Sequence, residues 1–157
     1  MNIKNNILEL GKNAKKASIE MKLLSNDQKN QALSNLIKNI SRNKDKILEA
    51  NNIDLEKGKK KSLSNPLINR LTLTKKSIDG LIKSIEDIIT IPDPIGLTLE
   101  KWERPNGLKF RKISTPLGVL GVIYESRPNV TVDASCLSIK SGNCIILRGG
   151  SDSFYSS

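Results

Sequence analysis

The chain of 157 residues contains no histidine and only two cysteines. Without histidine, these residues hold no Ser/His or Cys/His catalytic pair and no histidine-ligated metal site. Cys144 falls in an apolar run typical of a buried strand, and no secretory signal is present, so Cys136 and Cys144 should be reduced, packed thiols. We therefore predict no metal site.

Long apolar runs and aromatic side chains are also scarce. No run approaches the roughly 20 residues that span a bilayer, and the N-terminus lacks the apolar core of a signal peptide, so a cytoplasmic protein is expected. The net charge is +10, but only five residues are aromatic. The dense cluster Lys57-Gly58-Lys59-Lys60-Lys61 lies where a helix is expected to end, and cations there complement the helix dipole. Neither a nucleic acid nor a membrane is a predicted partner.

The first part of the chain has helical periodicity. Ser25 and Gln28 have the form of a capping box and predict the start of a second helix. A third helix is predicted from about Lys44 to near Gly58, which can adopt the left-handed cap. The first helix is predicted from an apolar stripe at spacings of four and three, formed by Ile3, Ile7, Leu10, Ala14, Ala17, Met21 and Leu24.

A linker at residues 62–65 then leads to a short helix opened by Pro66. Thr74 is a suitable N-cap for a fourth long helix, which Pro92-Asp93-Pro94 ends. The core face of this helix should comprise Ile78, Leu81, Ile82, Ile85, Ile88 and Ile89.

Residues 97–115 predict a β-hairpin. Two strand-like stretches, 97–103 and 108–113, flank Arg104-Pro105-Asn106-Gly107. Asn-Gly can supply the positive φ angles of a tight turn. An isolated two-stranded ribbon is marginally stable in water, so we expect it to pack against something outside this segment, such as another subunit.

Residues 116–157 organise the rest of the chain. The apolar runs 119–124 and 144–147 bracket a loop and a helix-length segment, which is the pattern of a βαβ unit with parallel strands covered on both faces. Gly118 and Gly121 flank the first strand, and either packing or the close approach of a cofactor explains them.

The loop of Ser126, Arg127, Pro128 and Asn129 follows the first strand at its carboxyl end, where open α/β sheets bind ligands. Arg127 suits bidentate recognition of a phosphate or carboxylate, the alternative being an ion pair with Glu125 or Asp133. Asn129 either caps the next helix or contacts a ligand.

These segments resemble the γ-glutamyl phosphate reductase (glutamate-5-semialdehyde dehydrogenase) family of the aldehyde dehydrogenase superfamily. The resemblance covers nearly the whole chain and is most specific over residues 124–134. It rests on residues 116–134, 140–143 and 146–151 and, upstream and in the same order, on residues 23–25 with 28–29, 70–74, 92–96, and 102 with 105–108.

The resemblance implies an incomplete α/β domain of the aldehyde dehydrogenase type. Residues 1–96 would be the N-terminal helices of the cofactor-binding domain, and residues 97–115 would be an oligomerisation hairpin. Residues 116–157 would be the first βαβ unit of a Rossmann-like NADPH-binding domain, without the catalytic domain.

The resemblance also implies a reaction. The family reduces L-glutamyl 5-phosphate with NADPH to glutamate 5-semialdehyde and phosphate in proline biosynthesis, through a cysteine thioester. The implied partners are this substrate, further copies of the chain bound through the 97–115 hairpin, and glutamate 5-kinase.

Roles for single residues follow from the same resemblance. Arg148 stands where the superfamily has a lysine near the adenosine ribose, and its guanidinium suits the 2′-phosphate of NADPH. Gly149, Gly150 and Ser151 would let the backbone approach the cofactor. The oxyanion asparagine of the superfamily aligns with Arg127 without a gap and with Asn129 with one.

The nucleophile of the family lies far downstream of the Arg-Gly-Gly segment, and neither Cys136 nor Cys144 occupies its place. We therefore expect the N-terminal part of the enzyme, inactive by itself. Two alternatives remain: another oxidoreductase of the superfamily, or a truncated paralogue that acts as a non-catalytic interaction module.

Overall fold

The computed structural model describes residues 3–157, which form six α-helices and two separate two-stranded sheets. The predicted class, α/β with a helical N-terminal region, a hairpin and a βαβ unit, is confirmed. Residues 1 and 2 of the predicted segment 1–96 lie outside the described residues. In chain order the elements are α1 (Ile3–Met21), α2 (Asn26–Arg42), α3 (Lys44–Lys60), α4 (Asn65–Leu71), α5 (Lys75–Thr90), β1 (Thr98–Glu103), β2 (Lys109–Ile113), β3 (Val119–Ile123), α6 (Asn129–Lys140) and β4 (Cys144–Arg148).

An apolar core lies between α2, α5 and α6. Its α5 members, Ile78, Ile85 and Ile88, fall on the helical face that the sequence predicts, because residues three, four and seven positions apart share one face of a helix. Leu33 is completely buried, and Ile85 is only 1% exposed. The buried core consists of Leu33, Ile40, Ile78, Ile85, Ile88 and Cys136.

Both predicted N-caps are present. Ser25 Oγ accepts a hydrogen bond from the N–H of Gln28 at 3.2 Å, and Gln28 Oε1 accepts one from the N–H of Ser25 at 2.9 Å. Thr74 and Ser77 make the same reciprocal pair at the start of α5, at 3.1 and 2.7 Å. These bonds satisfy N–H groups that a helix start leaves unpaired, and so they determine where α2 and α5 begin.

The prediction that Gly58 forms the left-handed cap of α3 is wrong. The positive φ falls on Ser62, at 56°. The N–H groups of Ser62 and Leu63 donate to the carbonyls of Lys59 and Gly58, each at 3.0 Å, which is a Schellman motif. A β-carbon on Gly58 would lie 3.0 Å from Leu63 Cδ1 and 3.1 Å from Ile68 Cδ1. Glycine is therefore needed here for the packing of α4 on α3, not for a turn.

Helix α1 lies along the β3–β4 sheet. Part of its predicted stripe, Leu10, Ala14, Ala17 and Met21, shares a groove with residues of β4. Ile3 and Ile7, nearer the start of the helix, remain 73% and 63% exposed. The stripe is thus directed at the sheet only over its second half.

The predicted hairpin is present, and β1 pairs antiparallel with β2. Its turn differs from the expectation, because Gly107 has a positive φ of 83° whereas Asn106 does not. The N–H of Gly107 donates to the carbonyl of Arg104 at 2.9 Å, and the N–H of Arg104 donates to the carbonyl of Leu108 at 3.0 Å. Pro105 therefore sits at the second position of a β-turn, and one left-handed glycine follows it.

All residues of β1 and β2 are exposed. Trp102 and Phe110 face each other across the strands and stack, with ring centroids 5.3 Å apart and planes 7° from parallel. Such a pair stabilises a ribbon by about 0.5–1.5 kcal/mol. Within residues 3–157, no other helix or strand packs extensively on either face of the hairpin.

Strands β3 and β4 pair in parallel, from Val119 opposite Cys144 to Ile123 opposite Arg148. The expectation that they are covered on both faces is met only in part. α1 packs against both strands and α6 packs against β4, but no residue of either strand is fully buried and Ile123 is 77% exposed.

Two buried lysines connect α2 to later parts of the chain. Lys140, at the end of α6, is 3% exposed, and its Nζ donates to the side-chain carbonyls of Asn26 and Asn30 and to the backbone carbonyl of Ile89 at 2.7–3.0 Å. Burial lowers the pKa of Lys140. Its three bonds bring α2, α5 and α6 to one point.

Lys29, 2% exposed, pairs with Asp93 at 2.6 Å. Burial alone would raise the pKa of Asp93, but the hydrogen bonds from Lys29 and from the N–H of Ile95 outweigh it and lower this pKa. The ion pair thus anchors the loop after α5 to α2.

We expect Lys140→Met to lower the free energy of unfolding by about 2–3 kcal/mol, because three partly buried hydrogen bonds would be lost and their acceptors would have no donor. Urea unfolding followed by circular dichroism measures this, with Lys76→Met at an exposed site of α5 as the matched control. Equal unfolding midpoints for the two variants would refute the structural role of Lys140.

Candidate functional site at the carboxyl edge of the parallel strands

The two loops that the sequence singles out meet at one edge of the β3–β4 sheet. The N–H of Tyr124, just after β3, donates to the carbonyl of Arg148 at 3.1 Å. A β-carbon on Gly149 would lie 3.2 Å from the Tyr124 hydroxyl, and one on Gly150 would lie 3.4 Å from Glu125 Cα. The two glycines therefore allow the loops to touch, and the structure brings both halves of the predicted site together.

The loop after β3 turns sharply at Ser126, which has a positive φ of 45°. A left-handed conformation is uncommon for a residue other than glycine. Ser126 and Pro128 are buried, whereas Arg127 and Asn129 are exposed. The buried pair anchors the loop, and the exposed pair is available to a ligand.

Arg127 and Arg148 give this edge its positive charge. Neither guanidinium forms an ion pair with any residue in the range 3–157. The alternative of an ion pair between Arg127 and Glu125 or Asp133 is therefore not observed. Two unpaired, exposed guanidinium groups on neighbouring strand ends suit phosphate or carboxylate groups.

Of the two roles that the sequence leaves open for Asn129, the cap of α6 is not observed. Asn129 is the first residue of the helix and Pro128 precedes it, with no side-chain cap. The amide Nδ2 of Asn129 instead donates to Asp133 Oδ2 at 3.1 Å. The positive end of the α6 dipole therefore faces the same edge as the two arginines.

The two glycines expected to flank the first strand differ, because Gly118 precedes β3 whereas Gly121 lies within it. Gly118 has a positive φ of 114°, and its N–H donates to the side-chain carbonyl of Asn143 at 2.8 Å. Backbone conformation alone explains this glycine. The β-carbon position of Gly121 has no atom within 4 Å, so packing among residues 3–157 does not explain that one.

Neither thiol has the properties of a nucleophile. Cys136 is completely buried, and burial, reinforced by the charge of Asp133, raises its pKa to about 11. Burial also raises the pKa of Cys144. A reactive cysteine needs an accessible thiolate. Across residues 3–157, no cluster of three or more Cys, Asp or Glu side chains is arranged to hold a metal ion.

One anchor of the site was missed at the sequence level. Asp54 is 1% exposed, and its carboxylate accepts the N–H of Tyr155 at 3.1 Å and the N–H of Ser156 at 2.9 Å. Lys57 Nζ lies 4.1 Å from the centre of the Tyr155 ring. The lysine-rich end of α3 therefore holds the segment that follows Ser151. The available signal was the helical spacing of Asp54, which lies seven residues after Ile47 and shares its face of α3 with the buried Asn51.

No helix within residues 3–157 combines the length and apolarity needed to cross a bilayer.

No protein-family model matches the chain. Among curated proteins, the γ-glutamyl phosphate reductases of Thermodesulfovibrio yellowstonii and Halothermothrix orenii are 45% and 44% identical to it over 156 residues. The aligned region is 99% of this chain and 37% of each relative. The chain thus spans little more than a third of the length of these relatives.

Solved structures agree with the sequence comparison. The γ-glutamyl phosphate reductase of Thermotoga maritima superposes with a TM-score of 0.91 at 40% identity, over 95% of this chain and 36% of the other. The Saccharomyces cerevisiae protein of the same name has a TM-score of 0.91 at 37% identity, over 94% and 38%.

A Bacillus subtilis protein, a candidate aldehyde dehydrogenase, is 16% identical with a TM-score of 0.64, over 91% of this chain and 29% of the other. At this identity the similarity shows the fold alone, which is that of the aldehyde dehydrogenase type. The resemblance inferred from the motifs is confirmed, and over nearly all of its length the chain is homologous to the N-terminal portion of the γ-glutamyl phosphate reductases and has their fold.

Proposed function

We propose that this chain provides the cofactor-binding N-terminal part of an NADPH-dependent reductase. The reductase converts L-glutamyl 5-phosphate to glutamate 5-semialdehyde and phosphate. This reaction belongs to proline biosynthesis and takes place in the cytoplasm. The observation that carries the proposal is the contact between the loop after β3 and Gly149 and Gly150 at the carboxyl edge of two parallel strands. Arg127 in that loop and Arg148 at the end of β4 are both exposed and have no ion-pair partner in the described chain. Open α/β sheets bind ligands at this edge.

The residues present fit an anionic dinucleotide. Arg148 and Ser151 are exposed beside the backbone of Gly149 and Gly150, and the start of α6 adds a positive dipole end. Arg148 would bind the 2′-phosphate of NADPH, since guanidinium recognises phosphate in bidentate geometry. The cofactor, when bound, supplies the hydride.

Arg127 and Asn129 would act on the acyl phosphate. Arg127 can hold the phosphoryl group as it leaves, because its guanidinium is charged and has no partner of its own among residues 3–157. Asn129 carries a side-chain amide on the exposed side of the same loop and can donate to a carbonyl oxygen. Which of the two stabilises the oxyanion stays open.

The nucleophile is proposed to come from outside residues 1–157. Cys136 is inaccessible and its thiol pKa of about 11 keeps it protonated, and Cys144 lies in a strand that α1 covers. The chain alone is therefore proposed to be inactive.

The hairpin of residues 97–115 is proposed to join subunits into a homo-oligomer. Its support is the exposure of both ribbon faces, including the stacked pair Trp102 and Phe110 at 42% and 40%. A ribbon of this kind needs a partner to be stable. The same surface would let the chain act as an interaction module on a longer subunit. Association with glutamate 5-kinase stays a prediction.

A chimera tests the proposed function. We expect active enzyme when this chain replaces the matching residues of the Thermodesulfovibrio yellowstonii reductase. Formation of NADPH from glutamate 5-semialdehyde, phosphate and NADP⁺ measures the reaction in reverse. Cys136→Ala should retain that activity. An inactive chimera that is nonetheless folded would contradict the proposed function.

The 2′-phosphate assignment has its own test. In the active chimera, Arg148→Ala should raise the KM for NADPH by about tenfold or more and the KM for NADH much less, because a charge-assisted hydrogen bond is lost only with NADPH. Arg42→Ala, at an exposed site at the end of α2, is the control. Equal changes in the KM for NADPH and the KM for NADH would contradict the assignment of Arg148 to the 2′-phosphate.

Self-association should depend on the hairpin. Trp102→Ser combined with Phe110→Ser should weaken the dimerisation of the chain by at least about tenfold, since aromatic residues carry much of the energy of an interface. Sedimentation velocity over a range of concentrations measures this. Leu23→Ser, at an exposed site outside the hairpin, is the control and should leave sedimentation unchanged. If the hairpin variant also sediments like the unchanged chain, the proposed interface is contradicted.

A further inference from the structure

A second concave surface adjoins the site at Asn129. A groove of about 280 Å³ lies between α5, the start of α6 and the segment after α4. Asn129 belongs to both the strand-edge site and this groove. The polar residues that line the groove are Arg70, Thr72, Ser77, Ser84, Asn129 and Asp133.

The groove carries one charge of each sign. Arg70 is exposed and forms no ion pair within residues 3–157. Asp133 is half-buried and accepts only the amide of Asn129, through Oδ2. Its other oxygen, Oδ1, has no hydrogen-bond partner in the described part of the chain. A free cation on one wall and a free carboxylate oxygen on another can bind a ligand that is itself a zwitterion.

We propose that this groove binds the α-amino-acid end of the substrate, with Arg70 holding the α-carboxylate and Asp133 holding the α-ammonium group. The inference deepens the proposed function and rests on it. Asn129 links the two sites, so a substrate whose amino-acid end occupies the groove has its reacting end beside Arg127.

This arrangement would also select the substrate. Acyl phosphates share the phosphoryl end, and only the far end distinguishes the glutamyl compound from analogues without an amino or a carboxylate group. A site built to pair with such groups rejects an analogue that lacks one of them, because a charged group is then left unpaired. The discrimination against an acyl chain without the ammonium group should therefore depend on Asp133.

Binding to the complete chain of 157 residues tests the assignment. L-glutamate serves as the unreactive probe, glutarate lacks the ammonium group, and 4-aminobutyrate lacks the α-carboxylate. Titrations followed by two-dimensional NMR should show saturable shifts of the Asn129 side-chain amide and the Ser84 amide with L-glutamate. Both analogues should bind at least about tenfold more weakly.

Two variants separate the charges. Arg70→Gln should weaken the binding of L-glutamate about tenfold or more. Asp133→Asn should weaken the binding of L-glutamate by a similar factor and leave the binding of glutarate unchanged. Arg42→Gln, at an exposed site at the end of α2, is the matched control for the loss of a positive charge. Groove signals that do not move with L-glutamate, or glutarate binding as tightly as L-glutamate, would overturn the proposal.

The chimeric enzyme supplies a second measurement. There Arg70→Gln should raise the KM for glutamate 5-semialdehyde about tenfold while the KM for NADP⁺ stays constant. An active chimera in which Arg70→Gln changes neither KM would overturn the groove assignment and leave the proposed function standing. An inactive chimera together with selective L-glutamate binding by the chain would overturn the proposed function and leave the groove assignment standing.

Discussion

The ammonium group of Lys140 is the point on which the arrangement of this chain depends. A buried cation must have its donors satisfied, and this one has acceptors from the start of α2 and the end of α5. The end of α6 is therefore held against the helices. Three residues later Asn143 accepts from the N–H of Gly118, so the same junction determines where β3 begins and β4 follows. The strand edge that carries the candidate site is thus positioned by a contact at the opposite end of α6.

A related interaction controls the hairpin. Lys29 holds Asp93, whose second oxygen accepts the N–H of Ile95 at 3.0 Å, and the hydroxyl of Ser114 donates to the carbonyl of Pro94. Both ends of the hairpin are therefore tied to α2 at their base. Among residues 3–157 no other helix or strand packs extensively on the ribbon, which leaves its direction determined and its faces free.

Local signals in the sequence predicted most of the fold. The capping boxes at Ser25 and Thr74 and the apolar spacing of α5 involve residues three to seven positions apart, which one helix brings together. The exceptions have tertiary causes. Gly58 is a glycine because of Leu63 and Ile68 on another segment, and no periodicity indicates which lysines are buried. For Asn129 the sequence offered two roles, and only the register of α6 excluded the cap.

The candidate site divides in the same way. Residues 126–129 and 148–151 are contiguous segments at strand ends, so their meeting follows from parallel pairing alone. Arg70 lies in α4 and Asp133 in α6, whereas Asp54 lies in α3 and its partner Ser156 in the C-terminal segment. Their proximity depends on how α3, α4, α5 and α6 pack, which no motif of a single segment encodes.

The two surfaces that share Asn129 differ in their electrostatics, and this difference favours one orientation of the substrate. The strand edge has two unpaired guanidinium groups and a helix dipole of the same sign, so it favours anionic groups only. The groove has a free cation and a free carboxylate oxygen, so it favours a zwitterion over a doubly charged phosphate, which Asp133 would repel. A molecule with an acyl phosphate at one end and an amino acid at the other therefore has one favourable orientation across Asn129. In that orientation the phosphoryl group lies toward Arg127, and the carbonyl carbon lies between the two surfaces.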